Sequence, residues 1–410
     1  PEPPRYWSLS WSPRDIPADA AAAGVRDLLT RAVEKRLIAD VPLGAFLSGG
    51  IDSTLVVGLM SRLMDEPVRT FSIGMADDPT YDETHFARMA AERFGTRHTA
   101  FTMEAQEVGL LEELLDAYDE PFGDSSALPT YIVSRLTRQE VTVALTGDGG
   151  DEMFAGYPRF AGMMVAERMP RWLAGTGNMI GRRLPYSPNF RSLTRRFSRF
   201  FAAASLPPEE RMLRWIGFFP EGLDERLSPG VRGLLPRGEI TASFRRPWER
   251  DPGLSPLART LALNFETYLL DDLLVKADRN SMAHGLELRS PFLDTELMEF
   301  AASLPDRYRI RGRRLKAILK EAFGDLLPEP ILRRGKMGFG IPLPTWFRTH
   351  WRPLVEDRLL APEARLWNWL TPDPVFSMVR EHMAGTVDHG HQIWALLTLE
   401  SWLRRGRYSA

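Results

Sequence analysis

The chain contains no cysteine, and this absence excludes several kinds of chemistry. Without cysteine it can form no disulfide, offer no thiolate ligand to a metal and use no cysteine nucleophile. A cytoplasmic location is the simplest interpretation of such a composition.

The chain also lacks an excess of charge of either sign and any long apolar run. It has 52 Lys and Arg against 54 Asp and Glu, a net charge of -2. A nucleic-acid partner would leave a basic excess, so none is predicted. No apolar stretch approaches the roughly 20 residues that span a bilayer, so no membrane partner is predicted either. We interpret the mixed Arg and Phe run at 195–201 as an amphipathic surface helix.

Four apolar segments have the length and composition of buried strands, at 41–48, 68–75, 97–103 and 140–147. Segments of helical period separate them, which predicts a parallel sheet covered on both faces. The expected fold class is therefore α/β with a doubly wound sheet. We predict a lead-in at 1–17, an α/β core at 18–157, a variable helical insertion at 158–255 and a mainly helical part at 256–410.

The first candidate site is the stretch "FLSGGIDS", which lies between a predicted strand and a predicted helix. Glycines at the start of a helix let phosphate approach backbone N–H groups, and Ser48 and Ser53 add hydroxyl donors. Asp52 would repel phosphate unless it binds a divalent cation that bridges to it. The Lys-Ser/Thr of the common phosphate loop is missing, and an ordinary turn is the alternative.

A second glycine cluster, "LTGDGGDEMFAGY" at 145–157, follows the last predicted strand. Ligands of open α/β sheets collect outside the carboxyl ends of the strands, so both clusters are expected at one edge. Asp52 and Asp151 could then share one Mg²⁺, which would leave Asp148 free for another role. The alternative is a solvated acidic loop.

Three further features have both a functional and an ordinary interpretation. Leu47 and Ile73 suit the adenine face of a nucleotide, or are core residues. Lys336, in "LRRGKMGFGIPLPTW", could neutralise departing pyrophosphate, or belong to a solvated basic turn. The segment "VKADRNSMAHGLELRSPFLD" places charges in an apolar helix that ends near Arg289, so it is expected to face the cleft or the first loop.

Five motifs together resemble the synthetase domain of the glutamine-hydrolysing asparagine synthetase family. They are "VPLGAFLSGGIDS", "TFSIGM", "LTGDGGDEMFAGY", "SMAHGLELRSPFLD" and "LRRGKMGFGIPLPTW", in that family's order. With their flanking helices they span the chain from about residue 5 to 405.

The resemblance implies an ATP-pyrophosphatase fold of the adenine nucleotide alpha-hydrolase-like type, with ATP and Mg²⁺ as cofactors. ATP would adenylate the side-chain carboxylate of aspartate, with release of pyrophosphate. Ammonia would then attack the acyl-adenylate, which gives asparagine and AMP. The implied pyrophosphate ligands are Ser48, Gly49, Gly50, Asp52 and Ser53, and the implied adenosine contacts are Leu47, Ile73, Thr146 and Gly147. Asp52 and Asp151 would bind Mg²⁺, and Lys336 would stabilise the adenylation transition state. Asp148 would be catalytic; at this position the family usually has Glu, whose side chain is one methylene longer.

The chain departs from the family in having no amino-terminal cysteine to release ammonia from glutamine, since residue 1 is proline. It is therefore expected to be the synthetase portion of a longer enzyme, or a synthetase that uses free or partner-delivered ammonia. Alternatives are adenylation of another carboxylate, such as a sugar acid or peptide precursor, and a nucleotide-binding paralogue without turnover. The absence of cysteine disfavours a thiolating relative, and the absence of a basic face disfavours a tRNA-modifying one. Homo-oligomerisation stays open.

Overall fold

Five parallel strands form the single sheet of the described chain. The protein is represented by a computed structural model that describes residues 6–78, 80–105, 109–184, 192–219, 222–234 and 239–406. The first five residues of the predicted lead-in lie outside these ranges. The strands are β1 (Leu43–Phe46), β2 (Arg69–Met75), β3 (Arg97–Met103), β4 (Val143–Leu145) and β5 (Glu287–Arg289).

The strand order is β3-β2-β1-β4-β5, and every neighbouring pair is parallel. The predicted α/β fold with a parallel sheet is thus confirmed, and its first four strands lie within the predicted segments. The part predicted to be mainly helical, 256–410, also contributes β5, which was not predicted. That strand has only three residues, and Leu288 lies between two charged ones, so the segment contains no apolar run that would predict a strand.

Helices occupy most of the remaining described chain. Before β5 they are α1 (Ala18–Arg36), α2 (Ile51–Leu63), α3 (Thr84–Phe94), α4 (Leu110–Asp116), α5 (Ala127–Thr137), α6 (Gly150–Met153), α7 (Pro158–Glu167), α8 (Arg171–Gly181), α9 (Leu193–Ala204), α10 (Pro208–Ile216), α11 (Leu223–Arg226), α12 (Pro229–Leu234), α13 (Glu239–Arg250), α14 (Pro256–Asn264) and α15 (Val275–Met282). After β5 they are α16 (Thr295–Ala302), α17 (Asp306–Arg309), α18 (Ala317–Ala322), α19 (Glu329–Arg333), α20 (Leu343–Arg348), α21 (Arg352–Leu359), α22 (Pro372–Met383) and α23 (Gly390–Arg404).

A π-helix, Phe265–Leu274, joins α14 directly to α15. Short 3-10 turns lie at Pro291–Leu293 and Arg365–Asn368. Helix α3 ends at Gly95, whose φ of 63° is the left-handed conformation that commonly terminates a helix. Within the described ranges, no helix combines the length and apolarity that crossing a membrane requires.

The two faces of the sheet belong to different apolar clusters. Ala45 and Leu145 join the cluster that contains the buried residues of α1, α2 and α3. Their strand neighbours Phe46 and Ala144 point the other way, into a small cluster with Phe71. Alternation along each strand thus gives both faces an apolar cover, as a parallel sheet requires.

Candidate active site

The two glycine loops meet at the centre of the sheet, after β1 and β4. These strands are neighbours, but the chain leaves β1 toward β2 on one side and returns to β4 on the other. Such a switch point opens a crevice at the carboxyl ends of the strands. A β-carbon on Gly147 would lie 2.8 Å from the Cβ of Asp52, and one on Gly150 would lie 2.5 Å from Asp52 Oδ1. Glycine therefore lets the loops touch.

The first loop presents its backbone to the crevice. Gly49 has φ of 69°, and a β-carbon there would lie 2.5 Å from the backbone nitrogen of Ala87. The Ser48 and Ser53 hydroxyl oxygens are 3.1 Å apart, and the Gly50 N–H donates to Ser48 Oγ at 3.3 Å. Because α2 begins at once after Gly50, its free N–H groups and positive dipole end face this loop.

Two lysines join the acidic residues of the two loops. Lys316 Nζ contacts Asp52 Oδ2 and lies 2.5 Å from Asp151 Oδ1, while Lys336 Nζ lies 2.6 Å from Asp151 Oδ2. Burial by itself would raise the pKa of Asp151, but the two lysines outweigh it and hold that pKa below the ordinary range. The pKa of Asp52 is raised, because burial there exceeds the effect of Lys316.

The Asp52 and Asp151 pair fits a magnesium ion. Both carboxylates are buried, and Asp52 Oδ1 has no hydrogen-bond partner. Mg²⁺ prefers oxygen ligands and is usually bound by one or two carboxylates together with substrate phosphates and water. In the described part of the chain no group of three or more acidic, His or Cys side chains is placed to hold a metal ion, so phosphate oxygens would have to complete this site.

A cavity of about 360 Å³ lies above the loops. Its lining includes all the predicted site residues except Gly49: Leu47, Ser48, Gly50, Asp52, Ser53, Ile73, Thr146, Gly147, Asp148, Asp151 and Lys336. The lining also includes apolar residues, with Phe46, Val133 and Leu288 in addition to Leu47 and Ile73. Apolar side chains of this kind suit contact with a purine base.

Asp148 is held by the strand end from which its loop starts. Thr146 Oγ1 donates to Asp148 Oδ2 at 2.8 Å and lies 3.0 Å from the Ser290 hydroxyl. The Thr146 N–H donates to the carbonyl of Arg289 at 2.9 Å, which ties the loop to β5. The predicted orientation of Arg289 toward the cleft is wrong, because its guanidinium donates to the carbonyls of Arg36 and Ile38.

Polar residues around Lys276, here called the polar end of the cavity, also line it, and they were predicted only in part. Lys276 Nζ donates to Asp124 Oδ2 and to Ser126 Oγ, each at 2.7 Å, and all three residues line the cavity. Burial alone would raise the pKa of Asp124, but Lys276 lowers it to about 2. The negative Asp124 carboxylate thus lies beside the positive Lys276 ammonium group. Tyr157 and Tyr268 line the same end, with ring centroids 6.1 Å apart.

Lys316 is the site residue for which the sequence offers the least signal. It lies in "RRLKAIL", outside every motif, yet its side chain is only 6% exposed. Its φ of 51° places it in the left-handed region that side chains other than glycine rarely adopt. Asp124 also lay in no motif, whereas Lys276 lay in the charged segment that was expected to face the cleft, and there the expectation is confirmed.

Comparison with known proteins agrees with this geometry. The family model described as asparagine synthase matches residues 24–404. The chain is 27% identical over 401 residues to asparagine synthetase (glutamine-hydrolyzing) 1 of Bacillus subtilis, which covers 97% of this chain and 61% of that protein. It is 32% identical over 380 residues to a putative asparagine synthetase (glutamine-hydrolyzing) of Mycobacterium bovis, covering 92% and 56%.

The human asparagine synthetase (glutamine-hydrolyzing) is 26% identical over 369 residues, covering 85% of this chain and 49% of that protein. The chain thus spans between half and three fifths of the length of these relatives. Since the family match covers nearly all of it, the chain belongs to the asparagine synthase family.

Proposed function

We propose that the chain is an ATP-dependent amide-forming ligase that converts aspartate and ammonia into asparagine, AMP and pyrophosphate. The observation that carries the proposal is the meeting of two glycine loops at the sheet's switch point, where Lys316 joins Asp52 to Asp151 and Lys336 pairs with Asp151. A triphosphate placed on the first loop would meet backbone N–H groups, hydroxyls and both lysines. Family membership supports the same class of reaction.

In the first step a carboxylate oxygen of the acceptor would attack the α-phosphorus of ATP. The bond from that phosphorus to the bridging oxygen breaks, and pyrophosphate leaves with the electron pair. Lys336 would neutralise the charge that grows on the leaving group. Asp52 and Asp151 would hold Mg²⁺, which supplies Lewis-acid charge neutralisation to the phosphates when bound.

In the second step ammonia would attack the carbonyl carbon of the acyl-adenylate. The carbon–oxygen bond to AMP breaks, and the ammonium nitrogen loses a proton to give the neutral amide. Asp148 lines the cavity beside the loops and is held by Thr146, so we assign it the role of accepting this proton. Because these 410 residues contain no cysteine, the ammonia would come from outside them: from a glutaminase domain of a longer enzyme, from a partner protein or from solution.

The polar end of the cavity supports an amino-acid acceptor over a sugar acid. Asp124 and Lys276 present opposite charges side by side, which complement the α-ammonium and α-carboxylate of aspartate. A sugar acid would bring hydroxyl groups and no second charge to this pair. The zwitterion is therefore the better electrostatic match.

The decisive experiment measures pyrophosphate release from ATP and Mg²⁺ with aspartate and ammonium each present or omitted. We expect release to require aspartate, with AMP and asparagine as products. Succinate, which lacks the ammonium group, and β-alanine, which lacks the α-carboxylate, are the matched acceptors that should fail. Turnover with a sugar acid in place of aspartate would keep the mechanism and replace the substrate. ATP binding without release for any acceptor would indicate a nucleotide-binding protein without turnover.

A further inference from the structure

The hairpin of α8 and α9 carries large apolar side chains on its outside. Where α8 faces α9 its residues are small: Ala174 and Gly177 are buried, and a β-carbon on Gly177 would lie 2.0 Å from the Phe201 ring. The large residues point away, with Trp172 72% and Met179 52% exposed. This is the reverse of the usual amphipathic helix, whose large apolar residues face the core.

The exposed apolar residues share one face of α8. Trp172, Leu173, Met179 and Ile180 are spaced by one, seven and eight positions, which places them along a single stripe. Ser198 Oγ of α9 donates to the carbonyl of Gly181 at 2.9 Å, so the end of α8 lies beside the first half of α9. In that half Leu193 is 79% exposed. Helix α9 thus also carries an exposed apolar side chain.

The same segment is strongly basic in an otherwise balanced chain. From residue 168 to 208 the sequence contains no Asp, Glu or Lys but eight arginines: Arg168, Arg171, Arg182, Arg183, Arg191, Arg195, Arg196 and Arg199. Exposed arginines flank the stripe at both ends, Arg168 and Arg171 before it and Arg182 and Arg183 after it. A partner of this surface must combine negative charge with an apolar layer.

We propose that the outer face of the α8–α9 hairpin binds the surface of an anionic lipid membrane. The eleven-residue helix α8 would lie in the headgroup region, with Trp172 and Ile180 toward the acyl chains. The exposed Arg168, Arg171, Arg182 and Arg183 would lie at the lipid phosphates, whereas Arg195 pairs with Asp388 and Arg199 donates to the carbonyl of Trp215. Nucleic acid would match the arginines but leave the apolar stripe in water. The expectation of no membrane partner rested on the lack of a spanning stretch, which a helix lying on the surface does not need.

Co-sedimentation of the whole chain with vesicles tests the proposal. We expect binding to vesicles of phosphatidylcholine with phosphatidylglycerol, much weaker binding to phosphatidylcholine alone, and loss at high salt. Trp172→Ser with Ile180→Ser, or Leu193→Ser, should weaken binding on the order of tenfold. Leu234→Ser is the matched control, because Leu234 is also 79% exposed but lies outside the hairpin.

Three outcomes would overturn the proposal. They are equal binding to both kinds of vesicle, no binding to either, and self-association in sedimentation velocity that the Trp172→Ser and Ile180→Ser changes abolish. The last would identify a second copy of the chain as the partner. Because the test uses no substrate, its result is independent of whether the proposed ligase activity is found.

Discussion

The ammonium group of Lys316 lies 2.5 Å from Oδ1 of Asp151, and it also contacts the carboxylate of Asp52. One buried lysine thus joins the two residues that the proposed function assigns to Mg²⁺. With Lys336 on the other oxygen of Asp151, two positive charges balance two negative ones in this cluster. A change to any member should therefore have an electrostatic effect that can be measured.

Replacing Lys336 by methionine should impair chemistry more than binding. We expect turnover to fall about 10²–10³-fold, because the cation assigned to the departing pyrophosphate is lost. Pyrophosphate release gives the rate, and calorimetric titration gives ATP affinity. Lys35→Met is the control, since Lys35 is half exposed and pairs with Asp294 and Glu296. Unchanged turnover in the Lys336 variant would contradict its assigned role.

Replacing Lys316 by methionine should destabilise the fold and make its stability depend on magnesium. Leaving buried carboxylates without their cation costs about 3–5 kcal/mol. Added Mg²⁺ should restore part of this loss, because it would bind the folded state preferentially. Thermal unfolding with and without Mg²⁺ measures both effects. Lys320→Met, whose charged neighbours are Arg314 and Lys316, should show neither. A Lys316 variant with no magnesium response would argue against a metal at Asp52 and Asp151.

Gly156→Ala should disrupt the cluster of Asp52, Asp151, Lys316 and Lys336 by steric clash alone. A β-carbon at Gly156 would lie 1.8 Å from Asp151 Oδ1 and 2.2 Å from Lys316 Cε, so the ion pair would have to move. We expect a loss of about 1–3 kcal/mol in urea unfolding. Gly175→Ala in α8 meets no atom within 4 Å and should instead gain about 0.5–1 kcal/mol. Equal stability of the two variants would show that the close approach is not needed.

Asp272 should make folding stability depend on pH. Burial, and then the charge of Asp124, raise its pKa to about 7. A carboxyl with a raised pKa in the fold contributes stability that is full below about pH 4 and is lost as pH rises to about 7.

Asp272→Asn keeps the neutral form at every pH. It should therefore be more stable than the unchanged protein at pH 8 by on the order of 2 kcal/mol, with little difference at pH 4. Urea unfolding at both pH values measures this, with Asp119→Asn as the exposed control. A constant difference between the two pH values would mean that Asp272 titrates normally in the fold.

Lys276→Met should weaken the binding of aspartate and leave the binding of ATP unchanged. We expect KM for aspartate to rise by about tenfold or more, since a charged hydrogen-bond donor is lost, while KM for ATP stays close to its original value. Steady-state pyrophosphate release with each substrate varied separates the two. Lys276→Arg keeps the charge and should recover part of the aspartate affinity. Equal increases in both constants would indicate a general structural defect at this end of the cavity.

Local sequence was enough for the parts of the site that lie in continuous motifs. Ser48 to Ser53 and Thr146 to Asp151 each follow a buried strand, and parallel strands bring their carboxyl ends to one edge, so both loops line one cavity. The amphipathic pattern of residues 195–201 also predicts a helix from local sequence, and this helix is confirmed within α9.

Tertiary structure alone decided the features that depend on distant segments. Strand β5 forms because β4 offers an open edge, and its own three residues have no apolar run. Lys316 reaches Asp52 because α18 and α2 both pack on α1, and Asp124 meets Lys276 because α5 packs on α15. Pairing between charges far apart in the chain leaves no periodicity in either segment. The sequence by itself therefore determined the two glycine loops and the sheet that carries them. Packing decided which charges lie beside those loops and which polar residues line the rest of the cavity.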